Sequence, residues 1–223
     1  IHPERGFVSP GLFIPIMESS GLIVEATKLA LRQSCRSLKR FEDELSPAVP
    51  MKMSVNFSNQ DFYSKGFVKN LTKTIAKEGV KPEAVKIEIT ERILMDDPEH
   101  TRKVLSECRE KGLSVAIDDF GTGYSSLNYL YSFPINVLKI DQSFIRIMHD
   151  DERGRELVRS IIALGKNLTL DVIAEGVETR EDAKALKEMG CDIAQGYFYA
   201  KPMPENDVLD LLKEWKPVDL MAS

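Results

Sequence analysis

The sequence predicts an α/β fold of parallel strands alternating with helices, either an open doubly wound sheet or a closed (β/α)8 barrel. Short runs rich in β-branched and apolar residues recur along the chain, and a helical pattern follows each of them. Their nearly continuous apolar character is typical of strands covered on both faces, as in parallel sheets. The predicted strands are MKMSVNFS (51–58), AVKIEIT (84–90), LSVAIDD (113–119), INVLKID (135–141), LDVIAEG (170–176) and DIAQGYF (192–198).

Helical periodicity fills the intervals between these strands. Pro98 just inside one segment and Gly112 just after it mark the start and the end of a helix. Asp150 or Asp151 and Thr179 suit the first turns of two others, because short polar side chains accept hydrogen bonds from unpaired backbone N–H groups. The predicted helices are 10–18, 23–42, 59–78, 97–111, a short one near 125–132, 153–167, 180–189 and one within 202–215.

Composition indicates a soluble globular protein and argues against several classes. The chain is 43% apolar and 29% charged, and it has no apolar run long enough to span a bilayer. A net charge of −5 argues against binding of DNA or RNA duplexes, which normally needs a basic face. Cys35, Cys108 and Cys191 form no C-x-x-C pair and fit a reducing compartment. We therefore expect a cytoplasmic domain without membrane contact.

The ends of the sequence bear on domain organisation. The chain opens with IHPERG rather than with methionine, and no signal peptide precedes its first helical pattern. We expect it to be a piece of a longer protein. No linker or low-complexity stretch divides it, so we expect residues 1–223 to form one domain without a second.

A polar residue stands at or near the end of every predicted strand. The carboxyl ends of barrel strands meet on one rim, which holds the active site. A doubly wound fold usually carries G-x-G-x-x-G after its first strand, and this chain does not. One polar strand end is more often a turn former or a helix cap, but six in succession favour a common site. They are Asn56, Glu88, Asp118 with Asp119, Lys139, Glu175 and Gln195.

Oxygen ligands dominate this set, and they indicate a hard cation such as Mg²⁺ or Mn²⁺. Asp118 and Asp119 are adjacent carboxylates that repel each other when ionised, so a nearby cation would stabilise the pair. Paired cations are the usual device for clamping the attacking and leaving oxygens of a phosphodiester. Lys139 could then stabilise charge on phosphoryl oxygens or orient water. The histidines form no metal motif and are interpreted as surface residues: His2, His100 and His149.

Three other interpretations match the sequence only in part. DDFG (118–121) contains the D-F-G of protein kinases, but no H-R-D, V-A-I-K or Gly-rich loop accompanies it. GTGYSS (121–126) lacks the Gly-Lys-Ser/Thr of a P-loop. Lys139 in a barrel strand would suit an aldolase-type Schiff base, but neighbouring acids raise the pKa of a lysine where that chemistry needs it lowered.

Eight segments of the sequence carry a resemblance to a known family: HPERGFVSPGLFIP, MESSGLI, SVNFS, EITE, IDDFGTGYSSLNYL, LKIDQSFI, VIAEGVET and CDIAQGYFYAKPMP. Together these segments resemble the EAL domains, which are phosphodiesterases of cyclic di-GMP, and the resemblance covers essentially the whole chain. The resemblance implies a modified TIM (β/α)8 barrel and hydrolysis of one phosphodiester to linear pGpG. It also implies a requirement for Mg²⁺ or Mn²⁺, two ions in all, whereas Ca²⁺ with its looser coordination is expected to inhibit.

The resemblance implies a role for each residue of the site. Glu175 resembles a metal-site or general-base carboxylate, and Lys139 and Gln195 resemble residues that position water and neighbouring groups. Glu91 resembles the anchor of a mobile loop that links metal binding to contacts in a homodimer. The implied metal ligands are Asn56, Glu88, Asp118 and Asp119, and the loop residues are Phe120, Gly121, Thr122, Gly123, Tyr124 and Ser125.

The Glu-Ala-Leu motif itself is not in the sequence, which begins where the strand carrying it would have ended. We therefore expect an N-terminally truncated EAL-type domain with about six of eight barrel strands, and upstream regulatory domains in the longer protein. An active phosphodiesterase is the favoured function. The alternative is a catalytically silent EAL domain that acts as a cyclic di-GMP sensor or a protein-interaction module.

Overall fold

A computed structural model describes residues 4, 6, 8–47, 50–123, 127–149 and 151–215. In this part of the chain two helices precede the first strand, and one or two helices follow every strand. The elements are α1 (Pro10–Ser20), α2 (Ile23–Leu45), β1 (Met53–Asn56), α3 (Asn59–Tyr63), α4 (Phe67–Lys77), β2 (Val85–Thr90), α5 (Glu91–Asp96), α6 (Pro98–Glu110), β3 (Ser114–Phe120), α7 (Leu127–Ser132), β4 (Val137–Ile140), α8 (Gln142–Ile147), α9 (Glu152–Asn167), β5 (Asp171–Glu175), α10 (Arg180–Glu188), β6 (Ile193–Gln195) and α11 (Glu205–Glu214).

The strands form one six-stranded sheet in the order β1-β2-β3-β4-β5-β6. Every neighbouring pair is parallel, and helices connect the successive strands. Sequential parallel strands joined in this way are the arrangement of a (β/α)8 barrel, and the sheet forms a six-stranded part of one. The predicted fold class and all six predicted strands are confirmed.

The two faces of the sheet differ in chemistry because successive side chains point to opposite sides of a strand. One face packs under the helices and supplies much of the main apolar core, which includes Ile87, Ile89, Ile117, Leu138 and Val172. The other face lines the barrel interior and carries a small apolar cluster of Ala116, Val137 and Ile173. Polar side chains follow this small cluster toward the carboxyl ends of the strands, so the fold directs them to one rim.

The last helix lies against the helix that precedes β1. Arg40 of α2 donates to Glu205 Oε1 at 2.9 Å and to Asn206 Oδ1 at 2.8 Å, and Ser37 donates to Glu205 Oε2 at 2.9 Å. Because α11 follows β6 and α2 precedes β1, this contact joins helices from the two edges of the curved sheet. No helix in the described ranges is long and apolar enough to cross a membrane.

Most predicted helices and their caps are confirmed. Pro98 opens α6, and Gly112 follows its end. Asp151 accepts from the backbone N–H of Gly154 at 2.8 Å and Thr179 from that of Asp182 at 3.1 Å, so both cap their helices as expected. Asp150, the other candidate cap, lies outside the described residues. Cys35, Cys108 and Cys191 are free thiols.

The prediction of a single helix over residues 59–78 is wrong. The chain forms two helices, α3 and α4, and Gly66 between them has a left-handed φ of 72°. Ser58 and Asp61 form a capping box that starts the first helix, so it is a separate unit. The break lets Phe62 and Phe67 both enter the core, where their ring centroids lie 5.0 Å apart.

Two short helices, α5 and α8, directly follow strands and are too short for a helical period to predict them. Glu91, at the end of β2, is the first residue of α5. Asp141 ends a predicted strand but caps α8, because its carboxylate accepts from the backbone N–H of Ser143 at 3.0 Å. The strand predicted over 192–198 is also shorter than expected, since β6 ends at Gln195. These turns immediately after the strands shape the site.

Candidate active site

Lys139 lies at the centre of the polar rim. Its Nζ donates to Glu88 Oε2 at 2.8 Å and to Asp118 Oδ1 at 2.9 Å, and it lies 2.6 Å from Glu175 Oε1. The lysine side chain is only 3% exposed. The four residues come from the adjacent strands β2, β3, β4 and β5, so the barrel topology alone assembles this cluster.

The carboxylates keep this buried lysine charged. Burial by itself acts to lower the pKa of Lys139, but the charge of Glu88 and the hydrogen bonds to Glu175 and Glu88 outweigh it. The pKa of Lys139 is therefore raised above its ordinary value. A Schiff-base lysine needs a free amine, so this environment argues against an aldolase-type enzyme.

Three acids form a candidate cation site beside the lysine. One carboxylate oxygen each from Asp118, Asp119 and Glu175 lie within 4.8 Å of one another. Burial, followed by the charges of Asp118 and Asp141, raises the pKa of Asp119. Burial also raises the pKa of Glu175, against the opposing effect of Lys139. Closely spaced, partly buried carboxylates of this kind can hold a hard divalent cation, which would offset their repulsion.

Asp118 and Asp119 both reach this site because the backbone is irregular there. Consecutive residues of a regular strand point to opposite faces. The register between β3 and β4 shifts between Ile117 and Phe120, and Asp119 has a left-handed φ of 53°. This bulge redirects Asp119, so two adjacent carboxylates share one side of the sheet. Non-glycine residues in that conformation are uncommon and are often found at functional sites.

Glu91 lies directly under the segment that follows Asp119. It is 3% exposed, and its Oε2 accepts from the backbone N–H of Gly121 at 3.0 Å. A Cβ placed on Gly123 would lie 2.9 Å from Glu91 Oε1, so a side chain at this position would displace the Glu91 carboxylate. Thr122 adds a hydroxyl bond to the carbonyl of Asp119 at 2.8 Å. The geometry fits the predicted loop anchor, while Tyr124 and Ser125 lie outside the described residues.

Asn56 and Gln195 stand at the two edges of the same rim. Asn56 is the register partner of Glu88, and Gln195 is the register partner of Glu175. Both residues are exposed. Within the described part of the chain, neither forms a direct hydrogen bond with the acids of the rim, which are Glu88, Asp118, Asp119 and Glu175. Their position next to the cluster agrees with the rim predicted from strand ends, and their roles stay predictions.

A cleft of about 1130 Å³ opens beside the acids and reaches Asp119. Residues of α1, the β1–α3 turn, α5 and the segment 119–123 line it. Among the described residues, Asn59 Oδ1 and Glu91 Oε1 are buried oxygens without a hydrogen-bond partner, and both residues line the cleft. Two residues with unpartnered buried oxygens therefore lie beside the cleft that reaches Asp119.

Sequence inspection missed one charged neighbour of this site. Lys86 lies two residues before Glu88, on the same face of β2, and is 8% exposed. Burial lowers the pKa of Lys86, against the opposing charge of Glu88. The sequence did contain a signal for Lys86, because this lysine lies between the apolar residues Val85 and Ile87 of a strand predicted to be buried. The described histidines stay outside the acidic cluster, with His100 stacked on Tyr63 at 4.8 Å and His149 in contact with Asp182.

The fold and the site define a barrel-type α/β protein whose candidate site is an acid-and-lysine cluster at the carboxyl ends of its strands. The family model described as the EAL domain matches residues 1–202. The chain therefore belongs to the EAL domain family. This family consists in general of cyclic di-GMP phosphodiesterases, and the resemblance found in the sequence is confirmed.

Two curated relatives are much longer than this chain. The signalling protein YkoW of Bacillus subtilis is 38% identical over 204 residues, which are 92% of this chain and 25% of YkoW. MucR of Pseudomonas aeruginosa, described as a bifunctional diguanylate cyclase/cyclic di-GMP phosphodiesterase, is 35% identical over 208 residues. Those residues are 93% of this chain and 30% of MucR. The chain thus spans roughly a quarter to a third of the length of these relatives.

Two solved structures share the fold. The MucR phosphodiesterase in complex with cyclic di-GMP matches with a TM-score of 0.88 and 35% identity, over 93% of this chain and 83% of that one. The EAL enzyme Bd1971, bound to cAMP and cyclic di-GMP, matches with a TM-score of 0.90 and 37% identity. That match covers 95% of this chain and 57% of the other.

Proposed function

We propose that this chain hydrolyses one phosphodiester of cyclic di-GMP and releases linear pGpG. The observation that carries the proposal is the cluster of Lys139 with Glu88, Asp118 and Glu175 at the rim of an EAL-family barrel. The likeness to the MucR phosphodiesterase, whose solved structure contains cyclic di-GMP, supports the choice of substrate.

The oxygen donors of the rim fit Mg²⁺ or Mn²⁺. Asp118, Asp119 and Glu175 would hold one ion, because their carboxylate oxygens already lie within 4.8 Å of one another. Glu88 of β2 and Asn56 of β1 would supply the further oxygen ligands that a second ion needs. When bound, the metal supplies activation of a water molecule and charge neutralisation at the phosphodiester.

The protein's own groups then have separate tasks. Glu175 lies at the candidate cation site, which suits a carboxylate that accepts a proton from the attacking water. Lys139, held charged by three acids, would face the phosphoryl oxygens and stabilise their negative charge. The water oxygen bonds to phosphorus, the bond from phosphorus to the ribose 3′ oxygen breaks, and that oxygen takes a proton. The product keeps the phosphate on the 5′ oxygen, as in pGpG.

The alternative is a sensor that binds cyclic di-GMP without cleaving it. One observation favours it: the Lys139 ammonium by itself already contacts three of the acids. A rim whose negative charge is partly offset in this way could receive a nucleotide without a metal and without turnover. The same experiment separates the two functions.

The experiment measures conversion of cyclic di-GMP to pGpG by chromatography, using the product of the complete gene. Mg²⁺ or Mn²⁺ should support turnover, and Ca²⁺ should inhibit it. Asp118→Asn should abolish turnover, whereas the matched control Asp210→Asn on the exposed face of α11 should not. Wild-type protein that binds the nucleotide with each metal but never forms pGpG would favour the sensor.

A homodimer and a cytoplasmic location belong to the same proposal. The dimer would place the segment after Asp119 near a second copy, as the family resemblance implies. Sedimentation of the purified protein with and without cyclic di-GMP tests this part. A monomer at all concentrations would remove the dimer and leave the proposed reaction intact.

A further inference from the structure

The short helix α8 lies between the two segments that carry Asp119 and Glu175. Gly121 follows Asp119 by two residues, and Gly176 follows Glu175 directly. A Cβ placed on Gly121 would lie 2.6 Å from Cζ of Phe144, which belongs to α8. A Cβ placed on Gly176 would lie 2.4 Å from Cβ of Gln142, the first residue of the same helix. One helix therefore touches the backbone behind both acids.

These two contacts leave no room for a side chain. Gly121 has a φ of 95° and Gly176 a φ of 71°, a region that side chains disfavour. At Gly176 the approach involves backbone, since the Cα of Gln142 would lie 3.2 Å from the added Cβ. The positions of both glycines are therefore set by how far α8 extends toward the rim.

Helix α8 is itself held in place from behind. Ile145 is 2% exposed and anchors the helix in the core. A Cβ on Gly154, in the first turn of α9, would lie 2.1 Å from the carbonyl oxygen of Ile147 at the end of α8. His149, two residues later, contacts the carboxylate of Asp182 in α10. Because α9 and α10 support it, α8 cannot withdraw from the two glycines without disturbing its neighbours.

We propose that α8 is a wedge that sets the spacing between Asp119 and Glu175, with Phe144 as the positioning residue for Asp119. Gly121 is held between the Phe144 ring on one side and Glu91 Oε2, at 3.0 Å from its amide, on the other. We call this pair of contacts, from Phe144 and from Glu91, the clamp on Gly121. Asp119 has an unfavourable left-handed φ, so the segment that follows it relaxes when either contact of the clamp is removed. The catalytic consequence rests on the proposed function, whereas the clamp itself does not.

Two substitutions alter the wedge in opposite directions while keeping it apolar or aromatic. Phe144→Leu removes the ring and leaves a gap against Gly121. Phe144→Tyr adds a hydroxyl at Cζ, the atom that faces Gly121. Phe41→Leu, in the buried part of α2, controls for the general loss of a core ring, and Arg153→Ala controls for an exposed change in the adjoining helix α9.

The first measurement is hydrogen exchange of residues 119–123 in metal-free protein. Both Phe144 variants should increase exchange of this segment, including the amide of Gly121, and both controls should leave it unchanged. This measurement needs no catalytic activity, so it tests the clamp even if the protein is a sensor. Unchanged exchange in Phe144→Leu would overturn the wedge whatever the protein catalyses.

The second measurement is Mn²⁺ affinity by calorimetry, without substrate. Loss of a residue that orients a metal ligand typically weakens metal binding about 10- to 100-fold, and we expect this range for both Phe144 variants. Phe41→Leu should lower thermal stability without this loss. Equal Mn²⁺ affinities in Phe144→Leu and Phe41→Leu would contradict the wedge. Wild-type protein that binds no Mn²⁺ would instead contradict the proposed function.

Discussion

Asp119 follows Asp118 directly in the chain, yet the two carboxylates lie on the same side of the sheet, within 4.8 Å of each other and of Glu175. A regular strand would have sent them to opposite faces. The shift of register between β3 and β4 and the φ of 53° at Asp119 make the arrangement possible. The protein therefore accepts backbone strain to bring an additional negative charge to the rim, which is useful if a cation binds there.

The backbone at Asp119 leads to a prediction about three uncharged substitutions. Asp119→Asn, Asp119→Gly and Asp119→Ala all relieve the same charge repulsion, so they differ mainly in tolerance of a left-handed φ. We expect Ala to be less stable than Asn or Gly by about 1 kcal/mol, because Gly has no Cβ and the Asn amide can hydrogen-bond locally in this region, whereas Ala has neither advantage. Urea unfolding without added metal measures the order. Equal stabilities of the three variants would contradict the prediction, because they would mean that residue 119 does not keep its left-handed φ.

The buried lysine leads to a second prediction. Lys139→Met removes the ammonium and leaves the buried Glu88 and the partly buried Asp118 and Glu175 without their counter-ion. Breaking a buried pair in this way costs about 3–5 kcal/mol. Lys166→Met, which removes a surface contact of 3.3 Å to Asp192, should cost less than about 1 kcal/mol.

A bound cation should offset part of the loss in Lys139→Met. Mn²⁺ would neutralise the same carboxylates, so millimolar Mn²⁺ should raise the free energy of unfolding more in this variant than in wild-type protein. The measurement is urea unfolding with and without Mn²⁺. A loss in Lys139→Met no larger than in Lys166→Met would show that the acids are not held by the lysine.

The sequence could predict the barrel rim because the fold class determines it. Parallel strands place their carboxyl ends together, so Glu88, Lys139 and Glu175 could be assigned to one site from apolar runs alone. The contact distances could not be predicted in the same way. The three bonds of Lys139 depend on the curvature of the sheet and on how far each strand extends.

Local turns were the harder part to predict. Gly66 breaks a helical pattern that is otherwise continuous over 59–78, and its effect depends on burial of Phe62 and Phe67 in one core. Helix α8 is too short to show a period, and its contacts with Gly121 and Gly176 arise only from tertiary packing. Residues that act through backbone contact leave little signal in sequence patterns.

Asp182 leads to a prediction about acid stability. Its carboxylate accepts from the backbone N–H groups of Glu178 at 3.0 Å and Thr179 at 2.9 Å, and it contacts His149. Burial acts to raise the pKa of Asp182, but the hydrogen bonds from His149, Glu178 and Thr179 outweigh it and lower the pKa. The stabilisation is therefore present above the unfolded pKa of about 3.9 and is lost as pH falls through the lower folded pKa.

Asp182→Asn should accordingly be less stable than wild-type protein at neutral pH, by about 1–3 kcal/mol, because the ionised carboxylate is a strong acceptor. The difference should shrink as pH falls below about 4, because the carboxyl of the unfolded chain takes up a proton there while that of the folded protein is still ionised, which favours unfolding of the wild-type protein. Unfolding in urea from pH 7 to pH 3 measures it, with the exposed Asp210→Asn as control. A difference that stays constant down to pH 3 would exclude Asp182 as the source of the acid dependence.

Glu91 provides the prediction that best separates an enzyme from a sensor. Its Oε2 holds the amide of Gly121 at 3.0 Å, and this bond fixes the segment that carries Asp119. Glu91→Ala removes the acceptor, and a misplacement of about 1 Å at a reacting group can cost on the order of a hundredfold in rate. Glu91→Gln keeps an acceptor oxygen and should retain much more activity. Binding of cyclic di-GMP should survive in part, since Glu88 and Asp118 are unchanged.

The measurement compares the rate of pGpG formation with calorimetric affinity for cyclic di-GMP, at saturating Mg²⁺ and then Mn²⁺. An enzyme positioned by Glu91 should show a large fall in turnover in Glu91→Ala, a small fall in affinity, and partial recovery in Glu91→Gln. If Glu91→Ala loses affinity and thermal stability together while turnover per bound substrate is unchanged, Glu91 is only structural. If Glu91→Gln is as inactive as Glu91→Ala, one acceptor oxygen for the amide of Gly121 is not sufficient, and the charge or the second oxygen of the Glu91 carboxylate is required as well.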